Sequence, residues 1–102
     1  MDIKTRTEEG RLTVSLRGEL DHHAARGTVT ALERELDAAL PMRLTLDFGG
    51  VTFMDSSGIA VVMRAFRRMT ALGGRLELIN VPEQAKRVFD AAGITSRVGM
   101  EG

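Results

Sequence analysis

Two adjacent hydroxyl side chains follow a carboxylate in the string Met54-Asp55-Ser56-Ser57-Gly58-Ile59, between a predicted strand and a predicted helix. Ser and Asp favour helix starts because their oxygens accept the first unpaired N–H groups, so one interpretation is a helix cap. A phosphate attached at the same place would meet free amide donors and a favourable helix dipole. The string therefore fits either a cap or a serine that carries a phosphate without unfolding the domain.

A second polar cluster, Gly18-Glu19-Leu20-Asp21-His22-His23, joins carboxylates to both histidines of the chain. Such residues occur in metal sites and in metal-dependent phosphoesterases. We exclude both, since adjacent histidines are expected to point in different directions and one small core leaves no room for a larger acidic framework. Two interpretations stay open: a helix start capped by Asp21 with surface histidines, or a contact surface for a partner.

Other chemical classes lack their patterns in this sequence. The Gly-x-Ser-x-Gly motif of a hydrolase is missing around Ser56, and no glycine-rich loop with a following Lys is present to bind ATP. The chain has no cysteine, which excludes disulfides and thiolate catalysis. We therefore expect neither an enzyme nor a protein with its own cofactor or metal.

Charge and hydropathy restrict the partners and the location. Lys and Arg total 14, equal to the 14 Asp and Glu, so no net field attracts nucleic acid or an anionic membrane. The first residues lack the apolar stretch of a secretory signal, and no apolar run approaches the roughly 20 residues that span a bilayer. We expect a cytoplasmic protein that binds neither nucleic acid nor membrane.

Hydrophobic spacing predicts strands and helices in alternation after an initial hairpin. Strands are expected at residues 3–7, 12–16, 43–48 with a continuation at 51–54, 75–79 and 97–100. The first helix ends at Pro41, and its apolar face is Ala25, Val29, Leu32, Leu36 and Leu40. The second ends at Gly73-Gly74, and its apolar face is Ile59, Val62, Met63, Phe66 and Met69. The third begins near Pro82 and ends at a left-handed Gly93, and its apolar face is Ala85, Val88, Phe89 and Ala92.

This order of elements predicts an α/β fold over a single domain, residues 1–102. We expect a mixed, mostly parallel sheet of about four to five strands, with an N-terminal antiparallel hairpin strand and three helices. Functional groups of such sheets gather beyond the carboxyl ends of the strands. Residues 18–23 and 54–58 should therefore be neighbours.

Two features of the second predicted helix concern partners. Arg64, Arg67 and Arg68 form either a solvated face or the edge of a protein interface. Val61 projects away from the predicted apolar stripe, so it is either covered by a neighbouring loop or a small anchor for a partner. We include Arg64 and Val61 in the predicted partner surface.

Three segments resemble the STAS-domain anti-anti-sigma factors, and within that family the sporulation-type anti-sigma factor antagonists. They are Leu16-Arg17-Gly18-Glu19-Leu20-Asp21-His22-His23, Val51-Thr52-Phe53-Met54-Asp55-Ser56-Ser57-Gly58-Ile59, and Lys86-Arg87-Val88-Phe89-Asp90 followed by Gly93. The resemblance covers nearly the whole chain, and Phe-Met-Asp-Ser-Ser-Gly before an amphipathic helix is its most specific part. One departure is Ile59-Ala60 in place of the more usual Leu-Gly, which bears on affinity for a partner because Ala60 adds a methyl group.

The resemblance implies the STAS fold and a switch at Ser56. Ser56 would be the phosphoacceptor for an anti-sigma factor that is also a serine kinase, and ATP and magnesium would belong to that kinase. The unphosphorylated chain would bind the kinase and release sigma factor, and a serine phosphatase would restore Ser56. Ser57 would be the structural cap, Asp21 an acidic contact, and Gly58 a point of close approach. The predicted partner surface is Asp21, His22, His23, Met54, Asp55, Ser57, Gly58, Ala60, Val61 and Arg64.

The main alternative is a STAS adaptor module in another signalling or transport assembly, where the same serine loop contacts a different protein. We expect the free chain to be a monomer in either case.

Overall fold

A computed structural model describes residues 1–100 and confirms the predicted α/β class. The strands are β1 (Asp2–Glu8), β2 (Arg11–Leu20), β3 (Arg43–Met54), β4 (Arg75–Ile79) and β5 (Gly99–Met100). The helices are α1 (His22–Ala39), α2 (Ser57–Ala71) and α3 (Glu83–Ala91), and a short 3₁₀ turn covers Ile94–Ser96.

The five strands form one mixed sheet in the order β1-β2-β3-β4-β5, with β1 antiparallel to β2 and the other neighbours parallel. The hairpin between β1 and β2 turns at Glu9 and Gly10, both with positive φ (37° and 81°). Two such residues in succession match the twist of a two-residue hairpin. The predicted N-terminal hairpin is thus confirmed.

Strands β2 and β3 are longer than their sequence patterns predicted. Strand β2 continues through Gly18 to Leu20, where a loop was expected, and β3 runs without a break through Gly49-Gly50. Gly50 permits this pairing, because a Cβ there would approach the carbonyl oxygen of Leu16 to 2.9 Å. The longer strands carry the chain directly to the two polar segments.

The core lies between the sheet and its helices. Buried residues alternate along the strands, as at Leu12, Val14 and Leu16 of β2. Helix α3 is tied to β3 by an edge-to-face contact between Phe48 and Phe89, whose ring centroids lie 5.4 Å apart. No helix within residues 1–100 combines the length and hydropathy needed to cross a membrane.

Helix α1 ends one residue earlier than its apolar spacing suggested. Leu40 adopts a left-handed conformation (φ 44°) before Pro41, and its side chain is 62% exposed. Its assignment to the apolar face was wrong, because the helix ends at Ala39 and the spacing rule applies only within a helix.

The buried face of helix α2 is rotated around the helix axis relative to the predicted apolar face. Its buried residues are Gly58, Val61, Val62, Ala65 and Met69. The side that carries Arg64 and Arg68 lies against α1, where Arg64 pairs with Glu33 at 3.1 Å. Because α1 covers this side as well, the buried arc is shifted toward Val61, and Ile59, Met63 and Phe66 are only partly buried.

The last part of the fold differs from the prediction in detail. Gly93 is left-handed (φ 72°), as predicted, but a 3₁₀ turn follows it. The final strand is therefore confined to Gly99–Met100, shorter than the expected residues 97–100. It pairs with β4 through Glu77 and Leu78.

Candidate functional site

The two polar segments meet at one edge of the sheet. Strands β2 and β3 are parallel and pair Leu20 with Met54 at their last residues, so both chains leave the sheet side by side. The amide of Asp55 donates to the carbonyl of Leu20 at 3.3 Å. The predicted proximity of residues 18–23 and 54–58 is confirmed.

The Asp55 carboxylate joins the two helix starts. Its Oδ1 accepts the amide of Ser57 at 2.7 Å, and its Oδ2 accepts the amide of His22 at 3.1 Å. The Ser57 amide is the main cause that lowers the pKa of Asp55; partial burial opposes it, and the Ser57 hydroxyl and the amide and charge of His22 lower it further. Asp55 therefore stays ionised at neutral pH and holds α1 and α2 together at this edge.

Ser56 occupies the N-cap position of α2, and its side chain is exposed. It makes no capping hydrogen bond, and its backbone is already helical (φ −61°, ψ −16°). The amides that an N-cap side chain would bind, those of Gly58 and Ile59, donate instead to the backbone carbonyls of Asp55 and Ser56. Ser57 is already the first helical residue, and its amide donates to the carboxylate of Asp55. The expectation that Ser57 is the cap was therefore wrong, since Asp55 performs this role.

Asp21 caps α1, as one of the two open interpretations held. Its Oδ1 accepts the amides of His23 and Ala24, each at 3.0 Å. The rings of His22 and His23 are exposed and lie side by side, tilted by 38° with centroids 3.9 Å apart, so they do not diverge as expected. Within residues 1–100, no group of three or more His, Asp or Glu side chains is arranged to hold a metal ion.

Three members of the predicted partner surface are buried. Met54 and Val61 are 0% exposed, so neither side chain is available to a partner in this conformation. Gly58 is buried as well, and a Cβ at this position would collide with the Met54 side chain and lie 3.3 Å from Leu20. These assignments are corrected: Val61 packs in the core, and Gly58 gives room to Met54 instead of to a partner.

Two further predicted contacts lie on the outer surface of α2. Ala60 is exposed one turn beyond Ser56. The side chain of Arg64 is 51% exposed, but its guanidinium is paired with Glu33 of α1. Of the predicted surface, the accessible part close to Ser56 thus consists of Asp21, His22, His23, Asp55, Ser57 and Ala60.

Sequence reasoning missed Gln84 of α3, which holds the end of β3. Its side-chain Oε1 accepts the Met54 amide at 2.9 Å, and its Nε2 donates to the Met54 carbonyl at 2.7 Å. These two bonds satisfy the backbone amide and carbonyl of Met54, which no neighbouring strand binds on this side because β4 has already ended. No local pattern reveals it, because the two residues are 30 positions apart.

A groove next to Ser56 was also missed. It is lined by Ser56 and Ile59 on one side and by Gln84, Arg87, Val88, Ala91 and Ala92 on the other, and we call it the α2–α3 groove. Phe53, at the end of β3, is a further exposed apolar side chain near the site, at 43%. Its place in a strand made it look like a core residue in the sequence.

Comparison with known proteins assigns the class. The chain matches the STAS domain over residues 2–101, and it belongs to the STAS domain family. It is similar to an anti-sigma F factor antagonist of Paenibacillus polymyxa, with 30% identity over 98 residues that cover 92% of this chain and 80% of the relative.

Two solved structures of the anti-sigma factor antagonist SpoIIAA are similar in fold and sequence. The unphosphorylated form is 25% identical with a TM-score of 0.74, covering 97% of this chain and 86% of SpoIIAA. The phosphorylated form, described as a Bacillus cell fate determinant, is 25% identical with a TM-score of 0.74, covering 97% of this chain and 90% of that structure.

Proposed function

We propose that this protein is an anti-sigma factor antagonist that binds an anti-sigma factor while Ser56 is unmodified. The observation that carries the proposal is the exposed Ser56 hydroxyl, which makes no capping hydrogen bond, while the Asp55 carboxylate binds the first amide of α2. The similarity to a relative with this function supports it. The chain would act as ligand and substrate of its partner, without a cofactor of its own.

The proposed modification is a phosphoryl transfer from ATP catalysed by the partner. The Ser56 oxygen attacks the γ-phosphorus, the bond from that phosphorus to the β–γ bridging oxygen breaks, and ADP leaves. The hydroxyl proton passes to a base of the kinase, and magnesium bound to the kinase neutralises the charge on the phosphates. A separate serine phosphatase would hydrolyse the phosphoserine and restore binding.

In this proposal, the negative charge of the phosphate on Ser56 prevents binding to the anti-sigma factor. It adds about 1.5 to 2 negative charges beside the ionised Asp55, and a partner surface that fitted a neutral hydroxyl must then accept a dianion. A penalty of about 3 to 4 kcal/mol weakens binding by two to three decades. Such a loss is enough for sigma factor to compete for the partner.

The domain does not need to refold for this switch. Ser56 is exposed and its side chain makes no capping bond, so a phosphate there breaks no contact of the core. The unphosphorylated and the phosphorylated form of SpoIIAA both share the fold of this chain, each with a TM-score of 0.74. We infer nearly identical backbones for the two states of the present protein.

The docking surface in this proposal surrounds Ser56. It comprises the accessible residues at the two helix starts, with Arg64 at its margin. Asp21, His22 and His23 approach the partner from α1, and Ala60 from α2. We further infer that the free chain is a monomer and works in the cytoplasm, where ATP, the kinase and sigma factor are found.

The test is phosphorylation in vitro followed by mass spectrometry. The chain is incubated with ATP, magnesium and a histidine-kinase-fold serine kinase encoded near it in its own host, beside the variants Ser56→Ala and Ser57→Ala. We expect one phosphate on the wild type and on Ser57→Ala, and none on Ser56→Ala. A phosphate on Ser57, or no phosphate on any form, would overturn the assignment.

Co-purification from the native host distinguishes the alternative, a STAS adaptor in another assembly. An anti-sigma kinase captured by Ser56→Ala and lost from the phosphorylated wild type supports the antagonist. Capture of a different assembly, insensitive to the state of Ser56, would favour the adaptor.

A further inference from the structure

The residues around Ser56 differ sharply in charge from one side to the other. On the side of α1, Asp55 and Asp21 present carboxylates whose oxygens accept backbone amides. On the opposite side lies the α2–α3 groove, which has Arg87 as the only charged residue among those that line it. A dianion on Ser56 is repelled by the carboxylates and attracted toward the groove.

Arg87 is available for such an anion. It is exposed on α3 and forms no ion pair with any residue in the described part of the chain. By contrast, Arg64 and Arg68 of α2 are already bound to Glu33 and Asp37 of α1. Among these three arginines, Arg87 is the one that lines a groove together with Ser56.

Two contacts hold α3, the helix that carries Arg87, against the strand that leads to Ser56. Gln84, one turn earlier on the same helix, is bonded at both ends to Met54, two residues before Ser56. The T-shaped contact of Phe48 with Phe89 holds α3 to β3 a second time. Helix α3 is therefore held at the end of β3, and its Arg87 lines the same groove as Ser56.

We propose that the phosphoryl group on Ser56 is bound in cis by the guanidinium of Arg87 across the α2–α3 groove. This inference rests on the proposed phosphorylation of Ser56. A guanidinium presents parallel N–H donors that match two phosphate oxygens, a geometry that the ammonium of a lysine does not reproduce. The ion pair covers the apolar floor formed by Ile59 and Val88. Phosphorylation then removes two features from a partner at once, the neutral hydroxyl and the open groove.

The first test uses a chain with phosphoserine placed at position 56 during translation, so that no kinase is required. The arginine Nε–H signals are followed by ¹H–¹⁵N NMR at neutral pH in the phosphorylated and unmodified proteins. We expect the Arg87 signal to shift and to exchange more slowly with water in the phosphorylated form alone. The Arg64 signal is the internal control and should not move, since its partner is Glu33.

The second test measures the phosphate itself by ³¹P NMR titration. An adjacent guanidinium lowers the second phosphate pKa, so Arg87→Gln should raise it by about half a unit or more. Lys86→Gln removes the same charge from the same helix but outside the groove, and should raise it much less. Arg87→Lys should fall between wild type and Arg87→Gln. The side chains of His22 and His23 are present in every variant, so their effect on the phosphate cancels in the comparison.

The inference is overturned if the Arg87 signal is the same in both forms, or if Arg87→Gln and Lys86→Gln change the phosphate pKa equally. Because the phosphate is installed without a kinase, either outcome refutes the ion pair and leaves the proposed function standing. Failure of the kinase assay refutes the proposed function and leaves these measurements unaffected.

Discussion

Gln84 offers the sharpest test of how the site is held. Its two hydrogen bonds to Met54 connect α3 to the residue that precedes Asp55. Gln84→Met keeps the length of the side chain and its apolar stem, but it removes both the acceptor and the donor. We expect this variant to loosen the start of α2 more than it loosens the sheet.

The size of the effect follows from the two lost bonds. A typical intramolecular hydrogen bond contributes about 0.5–1.5 kcal/mol net, so the free energy of unfolding should fall by about 1–3 kcal/mol. The upper end applies if the Met54 amide and carbonyl remain buried without water. In a domain of this size each kcal/mol corresponds to a fall in Tm of about 4–8 °C.

Two measurements separate the local effect from the global one. Urea denaturation gives the loss of stability, and amide hydrogen exchange gives its location. Exchange should accelerate most at Met54, and then at Ser57 and His22, whose amides depend on the placement of Asp55. Amides in the middle of β3, such as that of Leu46, should change only in proportion to global stability.

The matched control is Lys86→Met, which places the same side chain on an exposed position of the same helix. Gln84→Glu is a second comparison, since it keeps the acceptor for the Met54 amide but opposes the Met54 carbonyl with an anion. We expect it to be less stable than the wild type. If Gln84→Met unfolds at the same urea concentration as Lys86→Met, or if exchange accelerates uniformly along β3, α3 does not position the loop and the reasoning is refuted.

Three further substitutions test other parts of the site. Gly58→Ala should lower the free energy of unfolding by about 1–3 kcal/mol in urea, because its methyl group collides with the buried Met54; wild-type stability would show that Met54 repacks without cost. Asp55→Asn should remove a pH dependence of the free energy of unfolding. Because the pKa of Asp55 is lowered in the folded protein, its carboxylate stabilises the fold above about pH 4 and loses this effect as the pH falls further. The stability gap between wild type and Asp55→Asn should therefore shrink on acidification, and a gap that widens would contradict the assigned cause. Arg64→Ala should cost at most about 1 kcal/mol in the same assay, since its ion pair is solvent-exposed; a larger loss would mean that the pair fastens α2 to α1.

Local patterns were sufficient for most of the architecture. The hairpin turn at Glu9-Gly10, the strand Arg75–Ile79 and the left-handed Gly93 depend on neighbours in the chain, and the sequence predicted them correctly. The order of elements then implied a mostly parallel sheet, because parallel strands joined by helices cross over with one hand. The proximity of the two polar segments followed from that topology.

The errors arose where a second element decides the outcome. Val61 was placed outside the apolar stripe, since a single-helix pattern does not include the side covered by α1. Gly50 resembled a strand break, but the nearby backbone of β2 makes glycine a requirement for pairing. Ser57 was expected to be the cap, but the carboxylate of Asp55 reaches forward to the Ser57 amide and performs this role.

The sequence by itself determined the class of fold, the family and the string that contains Ser56. These depend on residue types at short spacing, which local backbone preferences and side-chain periodicity make readable. Only the tertiary structure decided that Ser56 is exposed and uncapped, that Gln84 clamps Met54, and that Arg87 shares a groove with the serine. Contacts between residues some thirty positions apart depend on how helices pack on the sheet, and no local pattern carries that geometry.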